Sequence, residues 1–489
     1  MEISNNTVAI IGGGVIGGGW AARFLLNGWT VNIYDPDPDA KRKIEAVIAN
    51  ARRSLPGLSD VAMTPEGRVV YCDSIAEAVT AANWIQESAP ERLNVKHKIL
   101  AEIQQYCRAD AVIGSSTSGF KPSELQQGAK TPGQIMVCHP FNPVYLIPLV
   151  EVVGGENVDQ DILQTASGVL SNLGMKPLII RKEIDAHIAD RLLEAVWREG
   201  LWLINDGIAT TTEIDDAIRF GFGLRWAQMG LFETYRIAGG EAGMAHFIEQ
   251  FGPCLKWPWT KLMDVPELTD ELVKAIADQS DAQSGAHSIR ELERIRDDNL
   301  VAMMRALKGQ NWGAGALLNQ YDADRKPSLN DVDIRAPIPT IDRTVPIDWL
   351  DYNGHMNESR YGQVFSDATD QFMEFIGVDA DYMATGGSFF TVEAHIRYLS
   401  EMREGQKLGV RTHCLVAEGK KMHLFHKMFD SDGNLVSTGE YMLIHVSLKT
   451  RAASEPDAKI ALKLAEISSF HQQLDLPDGV GRSVGAARR

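Results

Sequence analysis

An α/β domain on a mostly parallel sheet, then an all-α domain, then an α+β domain is the architecture this sequence predicts. Three observations carry it. Up to residue 185, apolar β-type runs alternate with helical stretches; from 186 to 318 helical spacing takes over; from 341 to 450 one long helical stretch precedes four β-type runs. A chain of 489 residues exceeds what one hydrophobic core organises, so division into domains is expected in any case.

In the first region (1–185) the strand candidates are residues 7–11, 29–34, 83–87, 111–114, 134–138 and 177–180, short apolar runs. In the second (186–318), residues 188–203, 214–218 and 291–306 carry apolar side chains at helical spacing. Residues 319–340 (NQYDADRKPSLNDVDIRAPIPT) are polar, contain prolines and show neither period, so they read as a linker. In the third region (341–450) a helix at 358–376 is followed by β-type runs at 389–399, 407–415, 422–429 and 436–446. Residues 451–489 read as a tail with an amphipathic stretch at 458–471 and a frayed end.

A net charge of −17 argues against nucleic acid or an anionic membrane as a partner, because phosphate binding needs a basic footprint. Cys72, Cys107, Cys138, Cys254 and Cys414 are scattered, with no C-x-x-C pair. That pattern suits reduced thiols and a cytoplasmic protein, not a disulfide framework or a metal site. The apolar stretch from Val8 to Leu26 is interrupted by glycines and by Arg23, so neither a signal peptide nor a membrane span is expected.

Gly12-Gly13-Gly14-Val15-Ile16-Gly17 satisfies G-x-G-x-x-G. It lies between a predicted strand and a predicted helix (20–26), and a second strand leads into Asp35 about 20 residues on, so the context is that of a dinucleotide-binding Rossmann unit. Gly12 permits the tight turn, Gly14 lets the backbone approach a pyrophosphate, and Gly17 allows close helix–strand packing. A carboxylate at Asp35 favours ribose hydroxyls and repels a 2′-phosphate, so NAD is expected over NADP.

Cys138-His139-Pro140-Phe141-Asn142-Pro143 sets a histidine on a proline-bracketed turn, and Glu151 ends the next apolar run (146–150). A lone buried histidine is more often satisfied by a backbone carbonyl. A histidine with a carboxylate to orient it is what an enzyme needs to take a proton from an alcohol whose carbon gives up hydride.

These residues together resemble the "HFFNP…VE" signature and domain order of the 3-hydroxyacyl-CoA dehydrogenase family over roughly residues 5 to 310. The resemblance implies that His139 is the general base and Glu151 its partner. It implies that Ser118 touches nicotinamide and substrate oxygen, and that Glu91 and Lys96 (in ERLNVK) contact the cofactor. Phe141 falls beside the substrate. Ser116 stands where the family usually has asparagine.

At Ile188-Ala189-Asp190-Arg191 the family reads "IxNR", so Asp190 replaces an asparagine that faces substrate. An added carboxylate there attracts a cation and disfavours anions; the alternative is a surface Asp paired with Arg191. Trp197, Trp202, Trp226, Phe232, Tyr235, Trp257 and Trp259 crowd the second region. Such aromatics are usually core, but several faces beside a carboxylate also suit a quaternary ammonium ligand. Residues 185–193 and 214–226 resemble the branch of the family that oxidises L-carnitine, which implies Arg191 or Arg225 on the substrate carboxylate.

Residues 345–448, with Asp351-Tyr352-Asn353-Gly354-His355-Met356-Asn357 close to "DxxGHVN" and Tyr361 and Phe365 on the following helix, resemble hotdog-fold acyl-CoA thioesterases of the 4-hydroxybenzoyl-CoA type. The resemblance implies Asp351 as nucleophile or general base and backbone N–H groups near Gly354 and His355 polarising the thioester carbonyl. Without it, Asp-x-Asn-Gly before a helix is an Asx turn. Trp349 stands where many relatives carry another Asp.

The expectation is a bifunctional enzyme: L-carnitine to 3-dehydrocarnitine with NAD, and hydrolysis of a small acyl-CoA such as betainyl-CoA to glycine betaine. A homodimer is the default assembly. The alternatives are a 3-hydroxybutyryl-CoA or gulonate-type dehydrogenase with a general thioesterase, or a crystallin-like or NADH-binding protein without chemistry.

Overall fold

The computed structural model describes residues 6–238, 243–251, 260, 267, 269–284, 286–326, 328–329 and 332–484. The chain divides into two compact units, Met1–Arg52 with Thr64–Tyr321, and Arg53–Met63 with Asp322–Arg489.

The first unit holds an eight-stranded sheet: β1 (Thr7–Ile11), β2 (Thr30–Tyr34), β3 (Arg68–Tyr71), β4 (Trp84–Glu87), β5 (Val112–Ser115), β6 (Ile135–Pro140), β7 (Leu149–Val153) and β8 (Lys176–Ile179). Its order is β3-β2-β1-β4-β5-β6-β7-β8, parallel except where β7 runs antiparallel to β6. The order reverses between β1 and β4, and in open α/β sheets ligands bind beyond the carboxyl ends of the strands at such a switch. Gly12, Asp35, Ser88 and Ser116 follow β1, β2, β4 and β5, and His139 lies near the end of β6. Topology therefore brings to one edge residues that are far apart in sequence.

Helix α1 (Val15–Leu26) is buried from Gly17 to Leu26. Within it Arg23, only 3% exposed, donates to the carbonyls of Leu173 (2.9 Å), Tyr145 (2.8 Å) and Gly174 (2.7 Å). A planar guanidinium satisfies several acceptors at once, which an ammonium on a flexible stem does not. This buried cation ties the dinucleotide half of the sheet to the loop that follows the base.

Two strands escape the sequence reading. β3 (RVVY) is short and half-exposed, and lacks the alternation that marks a strand. β7 carries Glu151 at its centre, where the sequence shows only an apolar run closing at Val150 and announces no strand. A fully buried carboxylate in an apolar strand reads as a terminator unless its partners are known.

The helical region begins with α2 (Ala189–Asn205) and includes Thr211–Ala217, Gly223–Ala238, Gly243–Phe251, Asp270–Ser284, α3 (Ile289–Lys308) and Ala314–Arg325. Ser288 and Glu291 form a capping box at the start of α3. Asp297 of α3 is buried and accepts from Tyr145 Oη at 2.7 Å, which fixes the loop after His139 against this helix. Trp257, Trp259 and Cys254 lie outside the described residues. No helix among the described residues is long and apolar enough to cross a membrane.

In the second unit β9 (Ile338–Thr344), β10 (Gly387–Tyr398), β11 (Lys407–Glu418), β12 (Lys421–Asp430) and β13 (Leu435–Ser447) form an antiparallel sheet in the order β10-β13-β12-β11-β9. Helix α4 (Glu358–Ile376) packs Tyr361, Val364, Phe365, Ala368 and Phe372 into its core. This is an α+β hotdog arrangement. His426 sits fully buried between the hydroxyls of Thr369 (3.0 Å) and Thr412 (2.9 Å), and burial pulls its pKa down to about 3.

The stretch read as a linker carries structure at both ends, the helix to Arg325 and strand β9 from Ile338. Pro339 discouraged a strand assignment, but β9 is an edge strand, where a missing N–H is tolerated. The amphipathic stretch expected at 458–471 is a helix with those bounds, and it packs into the core instead of trailing as a tail. Helix α5 (Ala458–His471) contributes Ile460, Leu464 and Ile467 to the core, and His471 accepts from the Cys414 N–H and donates to the Ala336 carbonyl, both at 2.9 Å.

Replacing Arg23 by Met should lower stability by about 3 kcal/mol in a denaturant titration, since three buried carbonyls lose a charged donor.

Candidate active site

The antiparallel register of β6 and β7 sets His139 opposite Glu151. His139 is 5% exposed and Glu151 fully buried. His139 Nδ1 lies 3.0 Å from Glu151 Oε2, while Glu151 Oε1 accepts the backbone N–H groups of Ile188 and Ala189, each at 2.8 Å. Those amides belong to the first turn of α2, whose cap residue Ile188 offers no side-chain acceptor. A carboxylate from the sheet thus caps the helix that opens the next domain, where free N–H groups and the dipole favour negative charge. Burial pushes Glu151 upward, but the bonds from His139, Ala189 and Ile188 outweigh it and hold the carboxyl below its usual range.

Around His139 Nε2 stand Ser118 Oγ at 3.2 Å and Asp190 Oδ2 at 3.6 Å. Asp190 therefore faces His139 and, among the described residues, forms no ion pair with Arg191. Burial raises its pKa, the charge of Glu151 adds to this, and His139 opposes it. Phe141 packs edge-on against the His139 ring, with centroids 4.9 Å apart.

The glycine loop fits a dinucleotide. Gly12 has φ +100°, and a Cβ there would lie 2.7 Å from the Ser88 carbonyl oxygen. A Cβ on Gly17 would lie 1.8 Å from the Gly12 oxygen, whereas one on Gly14 would meet nothing within 4 Å. The open approach is at Gly14, the cap of α1, which has neither a side-chain cap nor an acidic residue in its first turn. Free amides at an uncapped helix start receive a phosphate group. Asp35 accepts the Gly13 N–H at 2.5 Å and the Asp37 N–H at 2.7 Å, which fixes its carboxylate beside the loop.

Lys96 and Glu91 occupy a network that the sequence did not reveal in full. Lys96 is 1% exposed, with Nζ 3.0 Å from Glu87 and 3.3 Å from Glu91. Glu87 also accepts from Ser115 Oγ at 2.5 Å. Glu91 Oε1 accepts from Thr117 Oγ1 and, at 3.2 Å, from the Gly119 N–H, so it grips the loop that carries Ser118. Ser116 Oγ accepts from Gln86 at 2.8 Å and Trp20 at 3.2 Å.

Other expected residues are not gathered at the base. Arg191 and Arg225 are exposed, and among the described residues neither is within ion-pair reach of His139 or Asp190. Trp226 packs on Phe222 and Tyr235 stacks on Phe247. Trp197 and Phe232 are largely exposed. Glu87, Thr117 and His187 were missed. A polar residue closing an apolar strand at the carboxyl edge was the available signal for Glu87. Nothing comparable marked Thr117 or His187.

In the second unit Asp351 Oδ1 accepts the N–H groups of Asn353 (2.8 Å) and His355 (3.4 Å). The Gly354 N–H bonds the Asp351 carbonyl at 3.0 Å. The Gly354 and His355 amides expected to polarise a carbonyl are thus engaged within the turn, as an Asx turn requires. His355 Nε2 pairs with Glu401 at 2.9 Å. Beside Asp351 is a cavity of about 380 Å³ whose lining includes Glu358, Tyr361, Tyr398 and Glu401. Trp349 is a core residue beneath the Arg343 guanidinium, 4.1 Å from its ring centroid.

Residues 7–184 match the family described as "3-hydroxyacyl-CoA dehydrogenase, NAD binding domain", residues 187–277 its "C-terminal domain", and residues 345–471 the "Thioesterase-like superfamily". The chain belongs to the 3-hydroxyacyl-CoA dehydrogenase family, in a form that also carries a thioesterase-like domain. It is 62% identical over 482 residues to a protein of Ruegeria pomeroyi named "L-carnitine dehydrogenase/betainyl-CoA thioesterase", covering 98% of this chain and 99% of that one. It is 59% identical over 321 residues to the "L-carnitine dehydrogenase" of Mesorhizobium japonicum, covering 65% of this chain and 88% of that one. Among solved structures, an NAD-dependent 5-formyl-3-hydroxy-2-methylpyridine 4-carboxylic acid 5-dehydrogenase is similar with a TM-score of 0.54 and 26% identity, over 62% of this chain and 99% of that one.

Glu151→Gln should lower dehydrogenase kcat about 10³-fold, by analogy with the loss of other buried carboxylates that orient a histidine. Asp190→Asn should separate stability from activity. A raised folded pKa makes ionised Asp190 a destabilising group, so its contribution is favourable below the ordinary Asp range and is lost as pH rises through the folded value. The Asn variant should therefore melt about 2 °C higher near pH 7 and lose that advantage on acidification, as read by thermal scans across pH.

Proposed function

We propose that this chain oxidises L-carnitine to 3-dehydrocarnitine with NAD and that its second unit hydrolyses betainyl-CoA to glycine betaine. The observation that carries the first half is Asp190 Oδ2, 3.6 Å from the Nε2 of the base. In carnitine the quaternary nitrogen is one carbon removed from the carbinol carbon. A hydroxyl held at Nε2 puts the trimethylammonium in the field of that carboxylate. A CoA thioester, polyanionic and lacking a cation, gains nothing from Asp190. The names and full-length similarity of the relatives support both halves.

The residues divide the work as follows. Glu151 accepts at His139 Nδ1, so the ring's proton belongs there and Nε2 presents a lone pair to the substrate hydroxyl. Ser118 Oγ, beside the same nitrogen, holds the substrate oxygen while His139 takes its proton. NAD bound along the glycine loop would supply the hydride acceptor. Glu151 then stabilises the imidazolium that results. Gly12, Gly14 and Gly17 shape the loop that would take the pyrophosphate, Asp35 would hold the ribose, and Glu91, with Lys96 buried behind it, would hold the nicotinamide end. Phe141, edge-on to the His139 ring, is the substrate-side aromatic.

In the second unit Asp351 Oδ1 is held by Asn353, which leaves Oδ2 without a hydrogen bond from the described residues to act as nucleophile or general base. Tyr361 and Tyr398 wall the adjoining cavity with aromatic faces, and Glu358 and Glu401 give it a negative field suited to a cationic acyl group. The proposal includes a cytoplasmic homodimer. Helix α2 exposes Leu192, Leu193, Val196 and Trp197, an apolar face that a second copy would cover.

NADH formation with L-carnitine, D-carnitine, 3-hydroxybutyryl-CoA and L-gulonate tests the first half. L-carnitine alone should be turned over, and His139→Ala should reduce the rate about 10³-fold. Thiol release from betainyl-CoA should vanish in Asp351→Asn and persist in His139→Ala. Reduction of NAD by the CoA ester instead would overturn the role given to Asp190.

A further inference from the structure

Residues 186–190 contact the serine loop, Glu151 and His139 in turn. The Ala186 N–H bonds the Gly119 carbonyl at 3.4 Å, and His187 Nε2 lies 3.3 Å from the Thr117 carbonyl. The amides of Ile188 and Ala189 cap Glu151, and Asp190 faces the base. The side chain of His187 has no role in the chemistry derived above. It is fully buried, and its Nδ1 has no hydrogen-bond partner among the described residues. Its ring centroid is 5.6 Å from that of His139. Ala186 and His187 both adopt left-handed backbone, with φ +57° and +50°. Side-chain-bearing residues hold that conformation only where their surroundings over-determine it, commonly at functional sites.

The Thr117 carbonyl has only acceptor capacity, so the His187 proton lies on Nε2 and Nδ1 keeps a lone pair. Burial lowers the pKa of His187 and the nearby His139 adds to this, while Thr117, Glu151 and Asp190 pull the other way. The ring is therefore neutral. A second imidazolium here would oppose both the protonated base and a cationic substrate.

We infer that His187 is a positioning residue for the oxidation: its Nε2–H grips the Thr117 carbonyl from the helical domain while Glu91 grips the Thr117 hydroxyl from the sheet, and together they hold Ser118 Oγ at His139 Nε2. Glu91 fixes the loop through Thr117 Oγ1 and the Gly119 N–H. His187 supplies the opposing contact, so the serine is clamped between two domains. The inference rests on the dehydrogenase reading of the site but not on the identity of the substrate.

The test compares His187→Gln with His187→Met in the full-length enzyme. Gln can place a donor near the position of Nε2, and Met has similar length and no donor. With saturating NAD, Met should lower kcat for L-carnitine roughly 10- to 100-fold, the scale of a misplaced catalytic group, with little change in KM or in NADH affinity. Gln should recover most of the loss. Thiol release from betainyl-CoA should be unchanged in both. Equal loss in Gln and Met, loss of NADH binding along with turnover, or failure of both to fold would overturn the assignment, since each makes His187 a packing residue. Should the wild-type enzyme oxidise a different 3-hydroxy compound, the carnitine reading fails on its own. The Gln-to-Met comparison is then read on that compound and still decides the role of His187.

Discussion

Glu151 is the constraint on which the first unit depends. A buried carboxylate is costly unless every charge-bearing oxygen is met. Here Oε2 meets the His139 ring and Oε1 meets two amides at the start of α2. Three things follow from one side chain: the tautomer of His139, the entry angle of the helical domain, and the position of Asp190 one residue into that helix. Moving Glu151 to the other face of β7, which a one-residue slip of register would do, would lose all three together.

The same economy explains why the strained backbone at Ala186 and His187 persists. The chain must leave the sheet, contact the serine loop, and enter α2 with its first amides aimed at Glu151, all within a few residues. Left-handed conformations make that turn. The surrounding hydrogen bonds to Gly119, Thr117 and Glu151 hold it in place. Stability is spent where geometry is needed, as in many sites whose carboxylates and strained turns would be more stable replaced.

Much of this was legible in the sequence, for physical reasons that differ by residue. The glycine loop and Asp35 are local features whose chemistry follows from backbone freedom and helix polarity, so spacing alone located them. His139 and Glu151 are legible as a pair from the proline-bracketed turn and the carboxylate that closes an apolar run, although Glu151 sits in the middle of a strand the sequence does not announce. The clamp on Ser118 was not legible. Glu87, Thr117 and His187 act through contacts between strands and domains remote in sequence, and no periodicity reports such contacts. In the second unit α4, α5 and four strands follow the apolar pattern closely. β9 was hidden by Pro339, which an edge strand accepts, and the amides of Gly354 and His355 were assigned outward when the turn uses them itself.

The account stands on Glu151 joining the base to the helix. Amide hydrogen exchange at Ile188 and Ala189, measured in the wild-type protein and in Glu151→Ala, tests that most directly. Losing a cap costs roughly 1 kcal/mol, so these two amides should exchange about fivefold or more faster in the variant, while amides in β1 and β4 stay protected. Wild-type protection at Ile188 and Ala189 in a variant that has lost its turnover would mean that Glu151 serves the histidine alone, and the coupling described here would be wrong.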